Sequence, residues 1–243
     1  MNPRAVNEMF KGVYKGIYTS RNLPVKYYNS VNRNLRGALK AGFGSKKGLS
    51  GFYGDLDINI QAFSGAKTYQ LTRELQVLVK KSKTYNEFVE KALPVYEKHE
   101  SWLVAEDTTV KASAIQAKFW KQAERDIDIF PNLRYSTIGQ ACDICSRFEG
   151  ITAPVGAAIW NKYAPLNHFG CFCILIQEDG YAKLTSSGTI RKVMEGAESK
   201  VNEYFKQNVG ITNTIFPASH PYFTEIQKKD RAFAKRNFDL PIK

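Results

Sequence analysis

The stretch 141–173, ACDICSRFEGITAPVGAAIWNKYAPLNHFGCFC, holds every cysteine of the chain: Cys142, Cys145, Cys171 and Cys173. His168, one of three histidines, stands beside the second pair. The pattern is C-x2-C, a gap of 22 residues, then H-x2-C-x-C. Zinc favours four tetrahedral ligands from Cys and His, often supplied as two close pairs from two turns. Two intervening residues let one tight turn present the sulfurs of Cys142 and Cys145 together. Cys171 and Cys173 have the spacing of one strand face, so both reach a single ion if the strand bends. His168 with Cys171 is an equally reasonable second pair, which leaves Cys173 in the core. The stretch therefore reads as a structural zinc site drawn from Cys142, Cys145, Cys171, Cys173 and His168, its last ligand open between His168 and Cys173.

Other chemistries compete with this one. Reduced thiols packed as small hydrophobes are the main rival. Disulfides come next, since nothing signals secretion and a reducing interior disfavours them. Catalytic zinc needs an open coordination position and a nearby general base. Glu149 is close in sequence but lies in no H-x-E or H-E-x-x-H setting. A nucleophilic pair of Cys171 with His168 lacks a third, orienting residue. Asn167-His168 resembles part of a zinc-supported nuclease site, but His99, His168 and His220 do not meet its paired-histidine requirement. No catalytic residue is assigned.

Outward from the cysteines, residues 131–180 read as a small α+β module, with β-like LRYSTIG and CFCILIQ separated by turns and prolines. Residues 63–130 read as a helical domain. Leu71, Leu75, Leu78 and Val79 share one face. Thr84 and Glu87 form a capping box, and Pro94 suits the first turn of a following helix. A buried stripe is expected of Trp102, Leu103, Val110, Ala114, Ala117 and Trp120. The helix should stop before Pro131. Residues 181–243 read as a helix ending at a Gly210 cap, an irregular stretch and a basic tail. The fold class expected is α+β, predominantly helical, with a small Cys-containing β/loop module.

The formal charge of +12 sits at the two ends. Residues 1–50 carry ten bases, Arg4, Lys11, Lys15, Arg21, Lys26, Arg33, Arg36, Lys40, Lys46 and Lys47, against Glu8. Residues 226–243 have a net charge of +4, and the middle is close to neutral. Residues 1–62 read as a basic N-terminal arm and linker. Tyr14, Tyr18, Tyr27 and Tyr28 interleave with its bases, and its Gly- and Ser-rich GALKAGFGSKKGLSG reads as a flexible connection. Basic arms can neutralise phosphates or dock on an acidic protein surface. The tyrosines are expected to pin the arm onto a partner. No run is long and apolar enough for a membrane span, and the opening MNPRAVNEMFKGVYKGIY is expected to be mature protein, not a signal peptide.

The order of segments carries a resemblance. FSGAKTYQLTREL, WLVAEDTTVKASAIQAKFW, FPNLRYSTIG, C-x2-C-x3-FEG and IW...YAPLNHFGCFC follow one another. This resembles the phage Mu F-like family of minor head, or head-morphogenesis, proteins. Leu133, Tyr135, Thr137 and Gly139 match its strand motif, Gly150 its glycine, and Trp160 its tryptophan. Pro165, Cys171 and Cys173 match its closing motif. Phe172 stands where the family has Arg, and some members carry an Arg-and-His segment in place of Cys142 and Cys145. The resemblance covers roughly residues 60–225 and implies a non-enzymatic virion protein. Such a protein is assembled in the host cytoplasm near the portal vertex and contacts portal protein, major capsid protein and packaged double-stranded DNA. The alternatives are a zinc-dependent DNA-processing nuclease and a nucleic-acid-binding module.

Overall fold

The computed structural model describes residues 3–139 and 142–238. Along the chain run α1 (Pro3–Tyr14), α2 (Val25–Phe43), α3 (Ser50–Lys80), α4 (Tyr85–Arg125), β1 (Asn132–Ser136), β2 (Thr152–Pro154), α5 (Ala158–Tyr163), β3 (Ile174–Glu178), α6 (Ser187–Glu198), α7 (Val209–Thr212), α8 (Pro221–Thr224) and α9 (Arg231–Phe238). The fold is α+β and mainly helical, as the sequence predicts. The chain forms two compact units. One comprises the residues up to Gly37, Gly54–Asp107 and those from Phe216 on; the other comprises Ala38–Tyr53 and Thr108–Ile215.

In the first unit α3 is buried on all sides from Ala62 to Thr72, as a helix at the centre of a core must be. Its polar residues bond to the helix itself. Ser64, Thr68 and Thr72 donate their hydroxyls to the carbonyls of Ile60, Ser64 and Thr68, at 2.8, 2.7 and 2.7 Å. This removes the penalty of burying an unpaired hydroxyl. Phe63 stacks on Phe216 with centroids 3.5 Å apart. α4 opens on the expected cap: the Glu87 N–H donates to Thr84 Oγ1 (3.2 Å), while the Glu87 carboxylate accepts from the Lys83 N–H (2.7 Å).

The second unit holds an antiparallel sheet of order β2-β1-β3, with Leu133 opposite Ala153 and Tyr135 opposite Leu175. Leu133 and Tyr135 point into a core with Trp120, Phe148, Trp160 and Tyr163. α6 is capped by the Ser186 hydroxyl, which accepts from the Thr189 N–H.

Several expectations need correction. Residues 1–62 are not an arm and linker: they carry α1, α2 and the start of α3. Their tyrosines point inward, Tyr27 fully buried and Tyr14 packed on Tyr85 and Phe88, so they anchor this chain's own helices. The apolar residues Val6, Met9, Phe10 and Val13 recur at helical spacing and outweigh the flexible composition. α3 begins at Ser50, not Phe63. Pro94 lies inside the 41-residue α4 instead of opening a helix. It sits on an exposed face, where water can take the carbonyl its missing N–H leaves free. Trp102 is 39% exposed, because Leu103 beside it takes the inward direction. The helix after Gly180 stops at Glu198, and Gly210 is not its cap. Gly210 lies in α7, where a Cβ would come within 2.3 Å of Trp120 Cβ. The C-terminal stretch contains α8 and α9; Asp239 and Lys243 of the basic tail lie outside the described residues.

Candidate metal centre

All five predicted ligands belong to the second unit. Cys142 and Cys145 follow β1 and lead into a 3-10 turn, Ser146–Phe148. The turn closes through the Ser146 N–H on the Cys142 carbonyl (2.9 Å), and the Cys145 N–H donates to Cys142 Sγ (3.4 Å). The second turn runs from His168 to Cys171 and closes through the Cys171 N–H on the His168 carbonyl (3.2 Å). Gly170 within it has φ +71°, a left-handed conformation that glycine adopts without steric cost. Cys173 immediately precedes β3.

The side chains converge in two groups that share Cys145. Cys142, Cys145 and His168 have their ligand atoms within 4.8 Å of one another, and so do Cys145, Cys171 and Cys173. These residues can hold a metal ion. Cys145 Sγ lies 3.7 Å from Cys171 Sγ, close to the ~3.8 Å expected of two sulfurs each ~2.3 Å from a tetrahedral zinc. Cys142 Sγ lies 3.1 Å from His168 Nε2. His168 Nδ1 is 2.8 Å from the Phe169 carbonyl and must donate to it. In the neutral ring that leaves Nε2 with its lone pair toward Cys142, the arrangement seen in metal-ligating histidines.

The buried sulfurs have uneven proton affinities. Hydrogen bonding from the Cys145 thiol, then from Cys173, pulls the Cys171 thiol well below its ordinary range. The same bond with Cys171 pushes Cys145 upward, and burial adds to the rise. Cys142 is exposed and His168 half-buried; the other three are buried. Tyr135 is fully buried and accepts from Asn167 Nδ2 at 3.0 Å. Glu149 does not join the sulfurs: its carboxylate accepts from the backbone and hydroxyl of Thr137.

The ten predicted docking bases are all exposed. Arg4, Lys11, Lys15, Arg21, Lys26, Arg33 and Arg36 fall in the first unit, and Lys40, Lys46 and Lys47 in the second. Glu8 pairs with Lys26 (2.6 Å) and Arg4 (3.7 Å), Asp57 with Arg36 (2.6 Å), and Asp230 with Arg21 (3.0 Å). Lys46 lies over the Tyr53 ring. Part of the basic charge is thus met within the chain.

A second polar cluster, in the first unit, escaped sequence reading. Lys67, fully buried in α3, reaches Glu106 Oε1 of α4 at 2.9 Å and the Tyr222 hydroxyl at 3.3 Å. Burial lowers the Lys67 pKa and raises that of Glu106. His99 is buried beside it and meets Glu74 at 3.2 Å. The available signal was a lysine inside a helical segment with no solvent-facing stripe, GAKTYQL.

Compared with known proteins, the chain matches no family model, no curated protein and no solved structure. Among the described residues no helix is long and apolar enough to cross a membrane.

Proposed function

We propose that the chain is a structural, non-enzymatic protein of a tailed-phage head, a minor capsid or head-morphogenesis component at the portal vertex. In this reading it is assembled in the host cytoplasm beside portal and major capsid proteins, and a structural zinc ion joins the two cysteine-bearing turns. The exposed bases of α1 and α2 face an acidic protein surface or packaged double-stranded DNA.

One observation carries the reading beyond the order of motifs. The segments that resemble the phage family supply internal framework. Lys67 of the AKTY segment and Glu106 of the WLVAE segment form one buried ion pair. Tyr135, Trp160, Cys171 and Cys173 share one core cluster. Residues matched for a common fold are expected inside it, where packing constrains them.

Mass spectrometry of proheads assembled with the cognate portal and capsid proteins tests the assignment. A few copies per particle, retained with the portal, are expected. Absence from the particles, or metal-dependent DNA cleavage by the purified chain, overturns it.

A further inference from the structure

We infer that the metal ligands are Cys142, Cys145, His168 and Cys171, and that Cys173 is a supporting thiol that does not coordinate. This rests on the reading that the centre holds zinc.

The two turns are built alike. Each places its donors three residues apart, Cys142 with Cys145 and His168 with Cys171, and each is closed by backbone bonding at its first donor. In the first turn an N–H donates to the leading sulfur at 3.4 Å, a bond that strengthens when the sulfur is a thiolate. In the second, the leading donor is an imidazole whose Nδ1–H is engaged by a carbonyl, so Nε2 is the free ligand atom. Two turns of two donors make the four that tetrahedral zinc takes. Cys145 joins the two turns: it groups with Cys142 and His168 on one side and with Cys171 and Cys173 on the other, and stands 3.7 Å from Cys171.

Cys173 lies outside this symmetry. It follows Cys171 by two residues on the way into β3, and its carbonyl accepts from Gln116 Nε2 at 3.3 Å. Its sulfur lies within 4.8 Å of those of Cys145 and Cys171, near enough to share a hydrogen bond with a ligating thiolate. Tyr135, in the same core cluster, accepts from Asn167 Nδ2 at 3.0 Å, which fixes its hydroxyl. A supporting shell of this kind orients ligands and spreads their charge.

Charge favours the same choice. Zinc with three thiolates and a neutral imidazole carries one net negative charge; four thiolates carry two. Cys142 is exposed and His168 half-buried, but Cys145, Cys171 and Cys173 share a core cluster with Tyr135, Phe148, Trp160 and Tyr163, where each uncompensated charge is costly. The guanidinium of Arg147, two residues after Cys145, is committed to the carbonyls of Asp143, Ile144 and Gly196.

The test uses the full chain purified under reducing conditions. Elemental analysis should find one zinc per chain, as isolated or after anaerobic zinc addition. X-ray absorption should fit three sulfurs at ~2.3 Å and one nitrogen at ~2.0 Å. Cys173→Ser, whose hydroxyl still donates to Cys171, should keep one zinc and the same coordination spectrum. His168→Gln should weaken zinc binding at least tenfold and remove the nitrogen scatterer. Four sulfurs without nitrogen in the unaltered protein overturn the ligand set while leaving zinc in place. So does loss of zinc from Cys173→Ser with retention by His168→Gln. No zinc under either condition overturns the zinc reading itself. The unaltered protein decides the ligand set even if a variant fails to fold.

Discussion

Replacing Lys67 with methionine should cost about 3–5 kcal/mol, the usual penalty for removing one partner of a buried ion pair. Lys67 and Glu106 face each other at 2.9 Å with side chains 0% and 5% exposed. At an effective dielectric near 20 their attraction is about 6 kcal/mol. Desolvation opposes it by several kcal/mol per ion. The pKa directions show that burial dominates locally: Lys67 is pushed down and Glu106 up, each toward its neutral form. The pair is therefore worth little against an apolar replacement, although breaking it is expensive. Lys67→Met leaves the Glu106 carboxyl buried, and Glu106→Leu leaves the ammonium. Lys67→Met with Glu106→Leu removes both charges and should return to within about 1 kcal/mol of the parent. Urea unfolding followed by circular dichroism at pH 7, in a full double-mutant cycle, measures all four proteins. The Lys67→Met variant should also be more stable at pH 5 than at pH 8. A carboxyl whose folded pKa is raised binds more protons folded than unfolded, so its penalty grows as pH rises through that window. Single variants costing under about 1 kcal/mol, or a double variant costing the sum of the singles, would refute the argument.

His220 is held down to about 4 by burial first and by the Lys67 charge second. A depressed folded pKa gives stability that is complete above the unfolded value near 6.5 and lost as pH falls toward 4. The loss should reach about 3 kcal/mol. His220→Asn keeps an acceptor for the Tyr222 N–H at this helix cap, and should lack that share of the acid destabilisation in unfolding curves at pH 7, 6 and 5. His99 is also lowered by burial but is common to both proteins, so their difference isolates His220. In α2, a Cβ on Gly42 would lie 2.2 Å from the Lys111 carbonyl oxygen, whereas one on Gly37 meets nothing within 4 Å. Gly42→Ala should destabilise by about 1–3 kcal/mol and Gly37→Ala should stabilise by up to about 1 kcal/mol, both read by urea midpoint. Pro94→Ala restores a backbone donor on an exposed face of α4 and should raise stability by about 1–3 kcal/mol; an unchanged thermal midpoint would count against an uninterrupted α4.

Where the sequence was legible, local physics decided the outcome. The Thr84–Glu87 cap, the stop before Pro131 and the β-like runs around Tyr135 and Leu175 depend on neighbours within a few residues. In residues 1–50 the helical spacing of apolar residues overrides the flexible composition. The bases there lie outside while Tyr27, Val31, Leu35 and Leu39 recur every four residues on a buried face. Trp102 is the opposite case: it is large and apolar, but adjacent Leu103 holds the inward direction. The Lys67 cluster was illegible because its partners come from positions 39 and 155 residues away. No window along the chain shows that a charge will be buried. The cysteines were legible as a cluster, yet their order left His168 and Cys173 equivalent. The arguments that favour His168, the backbone closing each turn and the carbonyl engaging its Nδ1, come from the folded backbone.

The position of the cysteines follows from what the sheet lacks. β1, β2 and β3 have 5, 3 and 5 residues, and the connections between them are longer than the ~4–6 residues usual in compact domains. Cys142 and Cys145 lie on the first connection, His168 and Cys171 on the second. Joining them at one ion closes a loop of ~30 residues, which on the chain-entropy account of cross-links removes about 3–4 kcal/mol of unfolded-state freedom. That is comparable to burying one or two large apolar side chains, which strands this short have little further surface to supply. The helices of the first unit bury their apolar faces over several turns and need no such cross-link. A clasp confined to 142–171, if it holds an ion, would supply this small sheet with a cross-link. Cys145 and Cys171 sit in the same core as Phe148 and Trp160, while Cys142 is exposed.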